Sequence, residues 1–106
     1  MTAQYASIIN ETTDQRAQAL YMALISLKTP QECKMFLEDL CTPKEIDALS
    51  ERWLLARQLN TGAPYRAISE CTGASTTTIG RVARCLQQEK NQGYRKILNR
   101  TSGEKS

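Results

Sequence analysis

The tetrad Thr-Pro-X-Glu occurs twice, as Thr29-Pro30-Gln31-Glu32 and Thr42-Pro43-Lys44-Glu45, and each copy confines the chain to a helix start. The threonine can accept from open backbone amides. Proline at the first helical position has no amide to leave unpaired, and the glutamate three residues on can reach back to the cap. The first tetrad predicts a short helix to about Leu40 with Cys33, Phe36, Leu37 and Leu40 facing inward. The second predicts a long helix to about Asn60 with Ile46, Leu49, Trp53, Ala56 and Leu59 as its stripe, stopped by Thr61-Gly62. Upstream, Ala17, Leu20, Leu24 and Leu27 fall at three- and four-residue spacing and predict a helix from about Thr13 to Leu27. There is no alternating β-branched run and no Asn-Gly or Asp-Gly hairpin turn, so the fold class is all-α.

At 106 residues the chain has room for one small core. Residues 1–12 read as a polar N-terminal arm, 13–100 as the helical domain and 101–106 as a disordered tail with nothing to bury. Apolar runs are only a few residues long, as at Met22 to Ile25, far short of the ~20 that a membrane span needs. Met1 to Ser7 is polar and small, without a visible secretory signal, and the expected compartment is the cytoplasm.

The sequence contains no histidine, which removes the commonest general base and the commonest zinc ligand together. Cys33, Cys41, Cys71 and Cys85 form no CxxC pair and read as reduced, mostly buried apolar residues. The carboxylate pairs Glu38-Asp39 and Glu45-Asp47 lack a histidine or lysine arrangement suited to acid-base work, so neither a catalytic nor a metal site is expected.

Charge divides unevenly along the chain. Residues 1–50 carry a net −3 and residues 51–106 a net +6, so polyanion binding, if any, belongs to the second half. In that half Ala63-Pro64 restarts a helix through Cys71, Thr72-Gly73-Ala74 interrupts it, and Ser75 caps a helix running through Ile79, Val82 and Leu86. A helix-turn-helix needs a turn glycine, a small residue four positions earlier and apolar locking positions. Gly73, Ser69 and the set Ile68, Ala74, Ile79 and Val82 supply them, with Thr72 where a larger apolar residue is more usual. By spacing alone this is a DNA-binding element or a structural hairpin.

The chemistry of the exposed positions favours DNA. Ser75, Thr76, Thr77 and Thr78 set four hydroxyls at the amino end of the second helix, where the helix dipole favours an anion and threonine can offer a methyl to thymine. The bland alternative is an over-capped helix start. Arg66, Arg81, Arg84, Lys90, Arg95, Lys96 and Arg100 surround them against only Glu70 and Glu89, a surplus of the kind that phosphate neutralisation requires.

The run Leu40-Cys41-Thr42-Pro43, Glu45, Ala48-Leu49, Arg52, Gly62, Arg66, Ile68, Thr72-Gly73-Ala74-Ser75 and Thr78-Ile79-Gly80-Arg81 resembles the tryptophan repressor superfamily. Tyr65-Arg66, Thr72 to Thr76, Arg81-Val82, Arg84-Cys85-Leu86 and Gly93-Tyr94 are similar to its TrpR-like YerC/YecD branch. The resemblance implies a six-helix subunit in an intertwined homodimer with one helix-turn-helix head on each side. It further implies a repressor of a palindromic duplex operator, with half-sites about one helical turn, ~34 Å, apart. By position it implies DNA contacts at Tyr65, Arg66, Ser69, Thr76, Thr77 and Gly80, with Ser75, Thr78 and Arg84 beside them.

The resemblance also places Thr42, Arg52 and Arg81 at corepressor positions, where L-tryptophan or a related molecule would sit between the two arginines. Val82 and Cys85 replace a glycine and a serine there. Their added volume favours the other reading, in which Arg52 and Arg81 form structural ion pairs or a phosphate site and no cofactor is required. Trp53, Phe36 and Tyr94 read as core or dimer-interface residues. The alternative function is a helical dimeric adaptor for protein partners without operator recognition. Its mark would be Arg66 and Arg84 tied to acidic partners in the dimer.

Overall fold

The computed structural model describes residues 7–88 and 92–101, and every regular element among them is helical. Six helices carry defined bounds: α1 (Thr13–Ile25), α2 (Pro30–Leu40), α3 (Pro43–Asn60), α4 (Tyr65–Thr72), α5 (Thr76–Gln87) and α6 (Gly93–Thr101). Residues 7–9, inside the expected polar arm, are helical as well. The chain divides into two compact units, the first ending at Pro43 and the second beginning at Lys44.

In the first unit the caps settle the helix ends. Thr12 Oγ1 accepts from Gln15 N at 3.1 Å and Gln15 Oε1 accepts from Thr12 N at 2.9 Å, a reciprocal capping box that opens α1. α1 ends at Ile25, two residues before the expected Leu27, because the Ser26 N–H already turns back to Ala23 and Leu24 carbonyls. Thr29 caps α2 through Glu32 N at 3.1 Å, as its tetrad predicts. Glu32 differs from expectation: it accepts from Lys28 N at 3.0 Å, one residue before the cap.

Neither α1 nor α2 buries a residue. Leu20 and Leu24, expected on an inward stripe, are 37% and 39% exposed, and Leu40 is 51% exposed. Helices of this length are marginal in water unless tertiary packing covers their apolar face.

The second unit holds the core. Leu55 and Ala56 of α3, Ile68 of α4, Ala74 of the turn, Ile79, Val82 and Leu86 of α5 and Leu98 of α6 form one buried cluster. Trp53 and Tyr94 pack against it, with ring centroids 6.3 Å apart and planes 21° from parallel. α3 stops at the expected Thr61-Gly62, where Gly62 takes φ +87°, a left-handed conformation that glycine enters at little cost.

Three further expectations are corrected. Cys33 and Cys41 are half-buried and Cys71 and Cys85 exposed, with all four thiols free; none is a core residue, since Cys71 and Cys85 lie off the faces carrying Ile68 and Ile79. Gly93 opens a helix of nine residues, longer than the one or two turns expected, and Thr101 closes that helix instead of starting a tail. The remainder of the expected disordered tail, 102–106, lies outside the described residues, as do Lys90 and Glu89.

Candidate nucleic-acid interface

α4, a short turn and α5 build the surface that the sequence singles out. α4 closes at Gly73, whose φ of +78° is the left-handed conformation the turn requires, and the Gly73 N–H donates to Ser69 O at 2.9 Å. Ser75 then caps α5, its Oγ accepting from Thr78 N at 3.1 Å and lying 3.0 Å from Thr78 Oγ1. Ile68, Ala74, Ile79 and Val82, the four expected locking residues, are all buried.

Burial sorts the candidate residues by face. Ile79, Val82, Ala83 and Leu86 turn one side of α5 into the core. Thr77, Arg81 and Arg84 recur at four- and three-residue spacing on the opposite, exposed side. Thr76 is exposed in the first turn, and Thr78 is half-buried with its hydroxyl turned to Ser75. On α4, Arg66 and Glu70 share the exposed side, and Tyr65 is 42% exposed at the helix start. Among the described residues Arg66, Arg81 and Arg84 make no ion pair with a carboxylate, even though Glu70 stands four residues from Arg66. Arg95 is held differently, donating from Nη2 to the Leu86 carbonyl at 3.1 Å, so it ties α6 to the end of α5.

Two further hydroxyls, besides those of Ser75 and Thr78, are engaged within the chain. Ser69 Oγ donates to Ala74 O at 2.8 Å. Thr72 Oγ1 donates to Ile68 O at 2.7 Å and accepts from Ala74 N at 3.1 Å. The threonine that looks too small and too polar for its position is therefore a bonding element of the turn, a role that spacing cannot reveal because it depends on where the Ala74 amide points.

Gly80 has no such internal reason. Nothing lies within 4 Å of where a Cβ would stand, and a glycine inside a helix costs about 0.5–1 kcal/mol relative to alanine.

Of the effector candidates, Arg52, Arg81 and Val82 come together with Glu51 and Thr78 around a cavity of about 250 Å³. Of the ion pairs or phosphate site expected of Arg52 and Arg81, the ion pairs are not formed among the described residues, and buried Val82 is part of the cavity wall. Cys85 is exposed, next to Arg84 in sequence, and is not part of the lining. Thr42 lies in the first unit, directly before α3.

Comparison with known proteins gives a consistent set. Residues 15–102 match the family model described as Trp repressor protein. The chain is 41% identical over 92 residues to YerC of Bacillus subtilis (strain 168), a protein described as uncharacterized, covering 87% of this chain and 88% of that one. A solved structure of a TrpR-like protein from Eubacterium eligens ATCC 27750 is similar with a TM-score of 0.78 at 40% identity, covering 87% of this chain and 94% of that one. A second, from Staphylococcus aureus, gives a TM-score of 0.77 at 40% identity, covering 84% and 88%.

Proposed function

The chain belongs to the Trp repressor family, a family of DNA-binding regulators, and on that premise we propose that it is a sequence-specific transcriptional repressor acting as a homodimer. Residues 64–86 are its helix-turn-helix, duplex DNA its partner and the cytoplasm its place of action. The observation that carries this reading is the set of exposed cations on α4 and α5, Arg66, Arg81 and Arg84, which make no ion pair with a carboxylate among the described residues, together with the hydroxyl-bearing start of α5.

The homodimer is supported by the apolar surface that the chain leaves uncovered. Tyr21, Met22 and Ile25 of α1, Met35 of α2 and Leu49 of α3 are between 45% and 74% exposed. A second copy would cover such faces and carry a second helix-turn-helix, so that the operator is palindromic. Bound there, the dimer represses by occluding a promoter. No described helix is long and apolar enough to cross a membrane.

In the proposed contact set Arg66 takes a phosphate or a guanine edge, Tyr65 and Thr76, Thr77 and Gly80 approach the groove, and Arg84 neutralises phosphate. Gly80 fits because close approach of DNA leaves no room for a side chain. Gly80→Ala is therefore expected to raise stability by about 0.5–1 kcal/mol and to weaken DNA binding. Urea unfolding and titration of a labelled duplex check the two effects, and a variant that gains stability with unchanged affinity removes Gly80 from the interface.

The deciding experiment selects the purified protein against a random duplex library at moderate salt, with and without L-tryptophan. A palindromic consensus in both arms is expected, since the reading requires no cofactor. Enrichment only with tryptophan assigns the Arg52–Arg81 cavity to a corepressor. No consensus in either arm overturns the repressor.

A further inference from the structure

We propose that Ser69 and Thr72 form a polar clasp that sets the angle of α5 on α4, making them positioning residues that separate operator from random DNA. The proposal rests on the reading of α4 and α5 as a DNA-binding head and assigns these two side chains a task within it.

Ala74 is the joint between the two helices. It is 4% exposed, and its side chain belongs to the buried cluster with Ile68, Ile79 and Val82. Its backbone lies outside both helical ladders, because α4 has closed at Gly73 and the first ladder carbonyl of α5 is that of Ser75, which accepts from Ile79 N at 3.0 Å. A buried peptide group without a ladder partner must find one elsewhere. Ser69 supplies the donor for the Ala74 carbonyl and Thr72 the acceptor for the Ala74 N–H. Thr72 is itself held, donating its one proton to Ile68 O at 2.7 Å, which orients the oxygen lone pairs toward Ala74. Two hydrogen bonds to side chains of α4 thus fix the Ala74 peptide at the entry to α5 from both its ends, and a third inside α4 holds Thr72 in place.

A purely apolar lock would resist separation of the helices but would tolerate sliding, since dispersion contacts have no preferred direction. Hydrogen bonds do. The consequence grows with distance from the joint. The groove-facing stretch from Thr76 to Gly80 runs about 6 Å along the helix, so a tilt of about 20° at the turn would carry its far end sideways by about 2 Å. That exceeds what a hydrogen bond to a base edge or phosphate tolerates. Loose electrostatic attachment to any duplex would survive the same tilt, because it depends on charge and only weakly on angle. Both roles of the Ser69 hydroxyl cannot be met at once where a phosphate is the partner: its single proton is directed at Ala74 O, and a phosphate oxygen needs a donor.

The test uses the full chain and four variants, Ser69→Ala, Thr72→Val, Thr72→Ser and Arg84→Ala. Each is titrated with the duplex selected by the parent protein and with a scrambled duplex of equal length across a salt series, and amide hydrogen exchange is followed in parallel. Ser69→Ala and Thr72→Val are expected to lose about tenfold or more on the selected duplex and less than about twofold on the scrambled one, with the salt slope unchanged because no cation has been removed. Thr72→Ser, which keeps the hydroxyl, restores binding. Arg84→Ala weakens both duplexes and lowers the slope. The Ala74 amide exchanges faster in Thr72→Val while α3 amides keep their protection.

Several results overturn the proposal. Selected-duplex affinity retained within about twofold in both clasp variants does so, as does equal loss on both duplexes, which marks general unfolding. Loss confined to Ser69→Ala makes Ser69 a DNA contact, and unchanged Ala74 exchange in Thr72→Val removes the clasp itself. A parent chain that selects no duplex overturns the DNA reading, and with it the role in discrimination. The exchange data still report separately on whether the clasp exists.

Discussion

Leu55→Ala is expected to lower the unfolding free energy of the chain by about 3 kcal/mol, within the roughly 2–5 kcal/mol seen when a fully buried leucine is cut to alanine. Leu55 is 0% exposed and shares the buried cluster with Ala56, Ile68, Ile79 and Leu98, so residues of α3, α4, α5 and α6 meet in the same packed volume. A small domain has only about 5–15 kcal/mol in total, so this one change removes a large part of it. Urea unfolding followed by far-ultraviolet circular dichroism measures the loss. α4 and α5 should become exchange-labile together, because the cluster is what holds them to α3. A change below about 1 kcal/mol would mean that the cluster can close over the missing atoms.

Leu55 is also where sequence reading and structure part most clearly. The long helix could be placed from its tetrad and its Thr61-Gly62 stop, since capping and left-handed glycines are local chemistry written in a few neighbouring residues. Of the stripe Ile46, Leu49, Trp53, Ala56 and Leu59 only Ala56 is fully buried, beside Leu55, which the stripe leaves out, and Leu49 is 45% exposed. α3 carries apolar side chains around more than one face, so periodicity alone does not tell which face meets α4 and α5 and which is left for another partner. Leu20, Leu24 and Leu40 stay exposed in the chain for the same reason: an apolar stripe marks a face and does not say what packs on it. In the site, Gly73 and the four locking residues were legible because spacing fixes them. The roles of Ser69 and Thr72 were not, because a hydroxyl at a given spacing can face solvent, DNA or its own backbone, and only the position of the Ala74 peptide decides.

Arg66→Ala and Arg84→Ala are expected to weaken DNA binding with different signatures, and the difference assigns each its contact. Both guanidinium groups are exposed and make no ion pair among the described residues, so removing either leaves no stranded carboxylate and should change stability little. Arg84, on the outer side of α5 with Thr77 and Arg81, is the proposed phosphate cation. Its loss should weaken selected and scrambled duplexes alike and reduce the slope of log K against log salt by about 0.9, the effect of one phosphate no longer neutralised. Arg66, at the start of α4, is expected to cost the selected duplex more. If it reads a guanine edge, about 1–3 kcal/mol is lost at one base position and specificity there relaxes; if it holds phosphate, its signature will match that of Arg84. Glu70 gives an internal control. It shares the exposed side of α4 with Arg66, and a carboxylate facing a phosphate backbone opposes binding, so Glu70→Gln should strengthen binding to both duplexes, most at low salt where screening is weakest. Unchanged affinity for every duplex in Arg66→Ala and in Thr76→Ala would move the DNA surface away from α4 and α5 altogether. Opposite signs for Arg66→Ala and Glu70→Gln, converging as salt rises, would fix the outer side of α4 against the duplex.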